Sequence, residues 1–371
     1  MKRTLVALAV AGAFLAPAAA MADGSGVTLS GVVHGDIGMG REKADDGTEV
    51  YKRQPNIGTF ATRWNIDGTE DLGWAQAIFG LAMDQQFAGR NRRTSGGGIN
   101  NNNNQADPSS IQNRNSYLGL TGGFGTVKIG QNEHLYEIQQ ILQDSDPASE
   151  VAFDTLTLMT DWGLGSGRQN FTRRDSQSIW YASPNFGGAT VEAAYITPAG
   201  AKTSGLSPQG YQLGANWKAP FGLSLYGAFA QYDDFDGVTS KNRAMRLGAG
   251  YGMELFQVDV FGEQLKYTSS GVADKRTNIG VSGSLNFGQH HIRATYAVAG
   301  KLKTNSGDLS DSKAKLFWIG YAYTLSKRTE LQVNYGKLDN EKSAQFGSAF
   351  GVVSAPGNDA ERFGVGIRHT F

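Results

Sequence analysis

Carboxylates are the most concentrated reactive side chains in this 371-residue sequence. Seven of them fall in one segment, residues 132–172: Glu133, Glu137, Asp144, Asp146, Glu150, Asp154 and Asp161. A loop of this kind supplies fixed negative charge. What that charge does depends on the groups that the rest of the chain places opposite it.

Signals for covalent chemistry are weak. The sequence holds no G-x-S-x-G nucleophile motif and no H-E-x-x-H zinc pair, and it has no cysteine. Residues 163–168 (GLGSGR) and 248–252 (GAGYG) lack the full G-x-G-x-x-G pattern of a phosphate-binding loop. His290 and His291 are adjacent, and adjacent strand residues point to opposite faces. We therefore predict no catalytic residues, no metal site and no cofactor.

The elements that position the charges are predicted to be β-strands, because apolar and polar residues alternate along the chain. Residues 27–39, 211–218, 278–287, 319–325 and 331–335 all show this period of two. The second face of each strand is mostly Gly, Ser, Thr, Asn and Gln, which is too small and polar to fill a soluble core. An apolar outer face and a polar inner face indicate a water-filled barrel in lipid.

The connections and the composition agree with a membrane barrel. Tight turns alternate with long polar loops, and about 16 strands can be counted, with both termini on the short-turn side. Glycine and aromatic residues are abundant, while the mean hydropathy is only −0.35. We predict an all-β, transmembrane antiparallel barrel with short periplasmic turns and long extracellular loops. Phenylalanines beside the turns are expected at the membrane boundary: Phe124, Phe186, Phe221, Phe256 and Phe287.

The amino terminus has the features of a secretory signal peptide. Lys2 and Arg3 precede an apolar stretch over residues 5–16, and Ala20-Met21-Ala22 supplies a small-x-small cleavage pattern. We expect residues 1–22 to be removed and residues 23–371 to form the barrel domain. The formal net charge of zero argues against nucleic acid as a partner.

Several blocks, in order along the chain, resemble the general diffusion porins of Gram-negative bacteria. They are VTLSGVVHGDIG, RWNIDGTEDLGWAQAIFGL, NRNSYLGLTGGFGTVKIGQ, IWYASPNFGGATVEAAY, IGYAYTLSKRTELQVNYG and the terminal FGVGIRHTF. The resemblance is closest to the porins of Neisseria and Burkholderia. It implies an outer-membrane homotrimer of 16-stranded channels, with residues 132–172 folded inward as a constriction loop. It also implies contact with lipid and lipopolysaccharide, and recognition of the terminal Phe371 by the barrel assembly machinery.

The resemblance also assigns roles in the pore. Arg63, Arg114 and Arg174 match arginines of the barrel wall, and the constriction-loop acids that would oppose them are taken as a group: Asp144, Asp146, Glu150 and Asp154. The Pro-Glu-Phe-Gly block common in the family's loop does not occur here. By alternation Lys128 is also expected to face the pore, nearer the short turns. In the terminal strand Arg362 and Arg368 are expected to face water.

The function that this resemblance implies is passive diffusion of ions and small hydrophilic solutes through a water-filled pore. The alternative is a substrate-specific channel for a sugar or an anion, which ranks second because pore-facing aromatics are few, chiefly Trp180 and Tyr226. An outer-membrane barrel enzyme would need a rim constellation such as His–Ser, which the residues do not supply. A plugged structural or adhesive barrel is the remaining alternative.

Overall fold

Sixteen antiparallel strands close into one barrel in the computed structural model. It describes residues 25–50, 54–59, 62–85, 111–133, 135–136, 155, 158–164, 171, 174–197, 205–348 and 351–371. In chain order the strands are β1 (Gly26–Lys43), β2 (Gln54–Thr59, continued by Arg63–Asp71), β3 (Gln76–Gln85), β4 (Ile111–Gly122), β5 (Gly125–Glu133), β6 (Arg174–Ala182), β7 (Ala189–Ile196), β8 (Gln209–Lys218), β9 (Leu223–Asp233), β10 (Ser240–Gly252), β11 (Phe256–Ser269), β12 (Val272–Phe287), β13 (His290–Ala299), β14 (Ala314–Ser326), β15 (Thr329–Asn340) and β16 (Asp359–Thr370).

Each strand pairs with the next, and β16 pairs with both β15 and β1, so the sheet leaves no free edge. The predicted fold class is confirmed, including the strand count. In the part of the chain that is described, no helix is long and apolar enough to cross a membrane.

The two rims of the barrel differ as the sequence predicts. Tight turns join the strands at the end where β1 begins and β16 ends, for example at Gly122–Gly125, where Gly125 has a φ of 99°. A side chain at Gly125 would lie 2.2 Å from the Ala182 carbonyl oxygen, so this turn requires glycine. One connection on the loop side is also short, because β11 and β12 are long, at 14 and 16 residues, and meet in a tight turn.

The outward face is the apolar one. Leu29 is 59% exposed, Ile37 62%, Ile279 59% and Val365 47%, and their sequence neighbours on the other face are largely buried. A side chain exposed in the isolated chain faces lipid, or a neighbouring subunit, in a membrane barrel. The alternation therefore predicts the orientation of these side chains correctly.

The inner face differs from the prediction along β9–β15. Instead of small polar residues alone, it carries large buried side chains such as Tyr232, Leu265 and Trp318. These pack against residues of the 132–172 segment and of the loop before β16, among them Met159 and Phe346. The barrel has an apolar interior layer on this side because loops, rather than water, fill it.

The terminal strand shows a second difference. Arg362 does not face water: it is 1% exposed and pairs with Asp36 of β1, with one Nη2–Oδ1 distance of 2.6 Å. The charges of Arg362 and Asp36 neutralise each other inside the barrel. Alternation along a single strand cannot reveal such a partner on another strand.

Candidate functional site

The three predicted wall arginines lie together on neighbouring strands. Arg63 (β2), Arg114 (β4) and Arg174 (β6) alternate with Asp84 (β3) and Glu133 (β5), so positive and negative groups alternate across five adjacent strands. We call these five residues the arginine cluster. Its members on β3–β6 lie at the loop-side ends of those strands, where the 132–172 segment leaves the barrel wall.

Glu133 is the centre of the cluster. Its Oε1 accepts hydrogen bonds from Arg114 Nη2 and Arg174 Nη2, each at 2.7 Å, while Arg114 Nη1 lies 3.4 Å from Asp84 Oδ1. Arg63 is the register partner of Asp84 on the adjacent strand. All five side chains are half-buried. Three guanidinium groups and two carboxylates leave a net charge of one positive unit.

Local irregularities in the strands help to bring the cluster together. The β3–β4 register shifts between Ala82 and Met83, opposite Arg114, and the β5–β6 register shifts between Gly130 and Asn132. A β-bulge changes which face a side chain points to and re-aims it. Arg114 is passed over in the β3–β4 register, so simple alternation does not determine the direction of its side chain.

The predicted constriction-loop acids, Asp144, Asp146, Glu150 and Asp154, lie outside the described residues. The described parts of the same segment lie inside the barrel: the side chains of Tyr136, Leu158, Met159, Thr160, Trp162 and Phe171 are at most 1% exposed. They pack against the inner face of β9–β15, across the barrel from the arginine cluster.

Glu263 of β11 fastens the segment to that wall. One carboxylate oxygen, Oε1, accepts from the Thr160 backbone N–H at 2.6 Å and from Asn278 Nδ2 at 2.7 Å. The other, Oε2, accepts from the Tyr136 hydroxyl at 2.9 Å and from Arg246 Nη2 at 2.6 Å. Arg246 also donates to the Tyr136 carbonyl oxygen and lies over the Tyr136 ring. Burial raises the pKa of the Tyr136 hydroxyl, which therefore stays a donor.

The loop before β16 supports the segment from the other side. Gln345 N–H donates to the Gly163 carbonyl oxygen at 2.9 Å, and Phe346 is completely buried between the segment and the wall. Arg276 lies 5.1 Å from the centre of the Phe346 ring. Two loops thus occupy the same side of the lumen and leave the half-buried charges of β2–β6 on the other.

Sequence reasoning did not single out Glu263, Asp84, or the central position of Glu133. For Glu133 a signal existed, since an acid that ends a strand between two arginine-bearing strands is positioned to pair with both. Glu263 gave no such signal, because its partners are far away in the sequence and two of them lie in a loop.

Comparisons with known proteins place this architecture among channels. A family model described as Gram-negative porin matches residues 6–343. Outer membrane porin protein 32 of Delftia acidovorans is 29% identical, and the major outer membrane protein P.IB of Neisseria lactamica is 28% identical, each over the full length of both chains.

Two solved structures show the same fold. The anion-selective porin from Comamonas acidovorans has a TM-score of 0.72 and 23% identity, covering 94% of this chain and 100% of its own. The trimer form of OmpT, an outer membrane protein of Vibrio cholerae, has a TM-score of 0.64 and 14% identity, covering 94% and 100%.

Proposed function

The chain belongs to the Gram-negative porin family, and on that premise we propose that its arginine cluster is the basic wall of a selective constriction. The protein lies in the outer membrane as a multi-pass barrel and forms a water-filled channel for passive diffusion of ions and small hydrophilic solutes. Its relatives are porins, and we propose that this chain likewise carries out no covalent chemistry.

The observation that carries the proposal is the excess of guanidinium groups in the arginine cluster. Arg63, Arg114 and Arg174 outnumber the two carboxylates beside them, and all are half-buried at one level of the wall. Charges in a narrow, low-dielectric opening act on passing ions more strongly than they do in bulk water.

We propose that residues 132–172 form the constriction loop, with Asp144, Asp146, Glu150 and Asp154 as the acids that face the arginines. The burial of its described parts against β9–β15 supports an inward position for the loop. A passing solute then moves between the loop and the strands β2–β6, where the arginines lie.

A preference for anions is the form of selectivity that this charge balance favours. The fold relative from Comamonas is described as an anion-selective porin, which agrees with the preference proposed here. The substrate-specific alternative stays a channel for a sugar or an anion, and the charge balance of the arginine cluster favours the anion.

The remaining assignments concern assembly. We propose a homotrimer, a state in which one fold relative has been solved. The exposed apolar face would contact lipid, lipopolysaccharide and neighbouring subunits. Phe371 would be the residue that the assembly machinery recognises, and residues 1–22 the signal peptide.

The reversal potential of the reconstituted channel in a KCl gradient tests the arginine cluster. Arg63→Glu replaces a positive with a negative charge. We expect the anion-to-cation permeability ratio to move toward cations by about tenfold, the effect of two charge units about 6 Å from a permeating ion in dilute salt. An unchanged reversal potential would place Arg63 away from the constriction. Lys337→Glu, on the outer face of β15, makes the same charge change and should have no effect.

A further inference from the structure

A second group of charged side chains lies closer to the short turns, on β2, β5 and the nearby strand β7. Asp67 follows Arg63 by four residues on β2, and Lys128 precedes Glu133 by five residues on β5. At about 3.3 Å per residue, this separates the two groups by roughly 13 Å or more along the strands. We call Asp67, Lys128, Tyr117, Trp180 and Glu192 the turn-side cluster.

Aromatic rings hold the Lys128 ammonium group in this cluster. Its Nζ lies 4.1 Å from the centre of the Tyr117 ring and 4.8 Å from that of the Trp180 ring, a cation–π geometry on both sides. Asp67 and Glu192 attract the ammonium electrostatically. Within the described part of the chain, neither carboxylate forms an ion pair with it.

The polar groups beside Lys128 therefore keep unused hydrogen-bonding capacity. Glu192 Oε2 is a buried acceptor and Trp180 Nε1 a buried donor, and neither has a hydrogen-bond partner among the described residues. Buried polar atoms are nearly always hydrogen-bonded in folded proteins. An acceptor, a donor and an unpaired ammonium group at one place on the wall can satisfy a solute that carries both kinds of charge.

We propose that the turn-side cluster is a transit site for zwitterionic solutes with adjacent ammonium and carboxylate groups, such as free amino acids. The solute's ammonium would be bound by Glu192 and Asp67. Its carboxylate would be bound by Lys128 and the Trp180 indole N–H. No ion pair among the described residues joins Lys128 to either carboxylate, so each end of such a solute would have a group of opposite charge to bind.

The opposite net charges of the two clusters, met one after the other along the channel, also favour zwitterionic solutes. The arginine cluster carries a net positive charge, whereas two carboxylates and one ammonium give the turn-side cluster a net negative charge at neutral pH. A simple cation is disfavoured at the first and a simple anion at the second. A zwitterion finds an opposite charge at both. The inference rests on the proposed path beside β2–β6.

Liposome swelling with glycine and its uncharged isomer glycolamide tests the proposal, because the two solutes share one composition and nearly one size. For the reconstituted wild-type channel we expect glycine to enter faster than glycolamide. Glu192→Gln should lower the glycine-to-glycolamide ratio by about threefold, as expected for the loss of one partly exposed charge contact. Lys128→Gln should lower it similarly.

Matched measurements separate the possible outcomes. Glu330→Gln removes the same charge from the inner face of β15, outside both clusters, and should leave the ratio unchanged. Entry of glycolamide shows that each variant forms a folded, open pore. If Glu192→Gln admits no glycolamide, Asp67→Asn is measured in its place. Equal ratios in wild type and the cluster variants would overturn the proposal. Failure of the arginine constriction would appear separately, as a KCl reversal potential that Arg63→Glu leaves unchanged.

Discussion

Glutamine in place of Glu133 isolates the charge balance of the arginine cluster. Glu133 accepts hydrogen bonds from both Arg114 and Arg174. The Glu133→Gln substitution keeps the size of the side chain and one acceptor oxygen. It raises the net charge of the cluster from one positive unit to two, so we expect the channel to become more anion-selective.

The size of the effect follows from Coulomb's law. One unit charge about 6 Å from a permeating ion in water is worth about 0.7 kcal/mol, and screening at about 0.1 M salt reduces this to about 0.4 kcal/mol. The energy has opposite sign for an anion and a cation. The anion-to-cation permeability ratio should therefore rise by about 0.8 kcal/mol, which is roughly three- to fourfold.

Single-channel reversal potentials in a KCl gradient measure this ratio directly. Asp339→Asn is the matched control, because it removes one negative charge on the outer face of β15 at the same end of the barrel. A rise in anion preference at low salt that shrinks at high salt is the expected pattern. A ratio that stays constant, or moves toward cations, would refute the assignment of the cluster to the constriction.

Two further substitutions concern the loops that fill the other side of the barrel. Glu263→Gln leaves Arg246 buried without its carboxylate, so the attachment of the 132–172 segment should be less stable by about 3–5 kcal/mol. The expected signs are a noisier single-channel current and a lower unfolding temperature on heated gels. A quiet, equally stable channel would contradict the role of Glu263. Phe346→Ala opens a cavity beside the two loops and should lower the stability of the folded barrel by about 3–5 kcal/mol, measured by thermal unfolding. The control Phe363→Ala, on the outer face of β16, should lower the stability much less. Equal losses of stability in the two variants would contradict the packing of Phe346.

The sequence predicts the barrel well because its signal is local and repeated. Alternation assigns side chains such as Leu29 and Ile279 to the outer face, and tight turns fix the order of the strands. It predicts contacts between distant segments poorly. Arg362 meets Asp36 only because the barrel closes, and Glu263 meets Tyr136 and Thr160 only because a loop turns inward. Nothing in the neighbourhood of either acid in the sequence marks it as the partner.

One side of the barrel interior contributes mainly to stability and the other mainly to permeation. Along β9–β15, large side chains such as Leu265 and Trp318 bury loops, and a change there removes packing. Along β2–β6, the side chains around Glu133 and Lys128 are half-buried and charged, so a change there alters the field more than the packing. Because the sides are distinct, substitutions on β2–β6 should alter selectivity with little loss of stability, whereas those on β9–β15 should do the reverse. A single wall lined uniformly by charged residues could not separate the two effects.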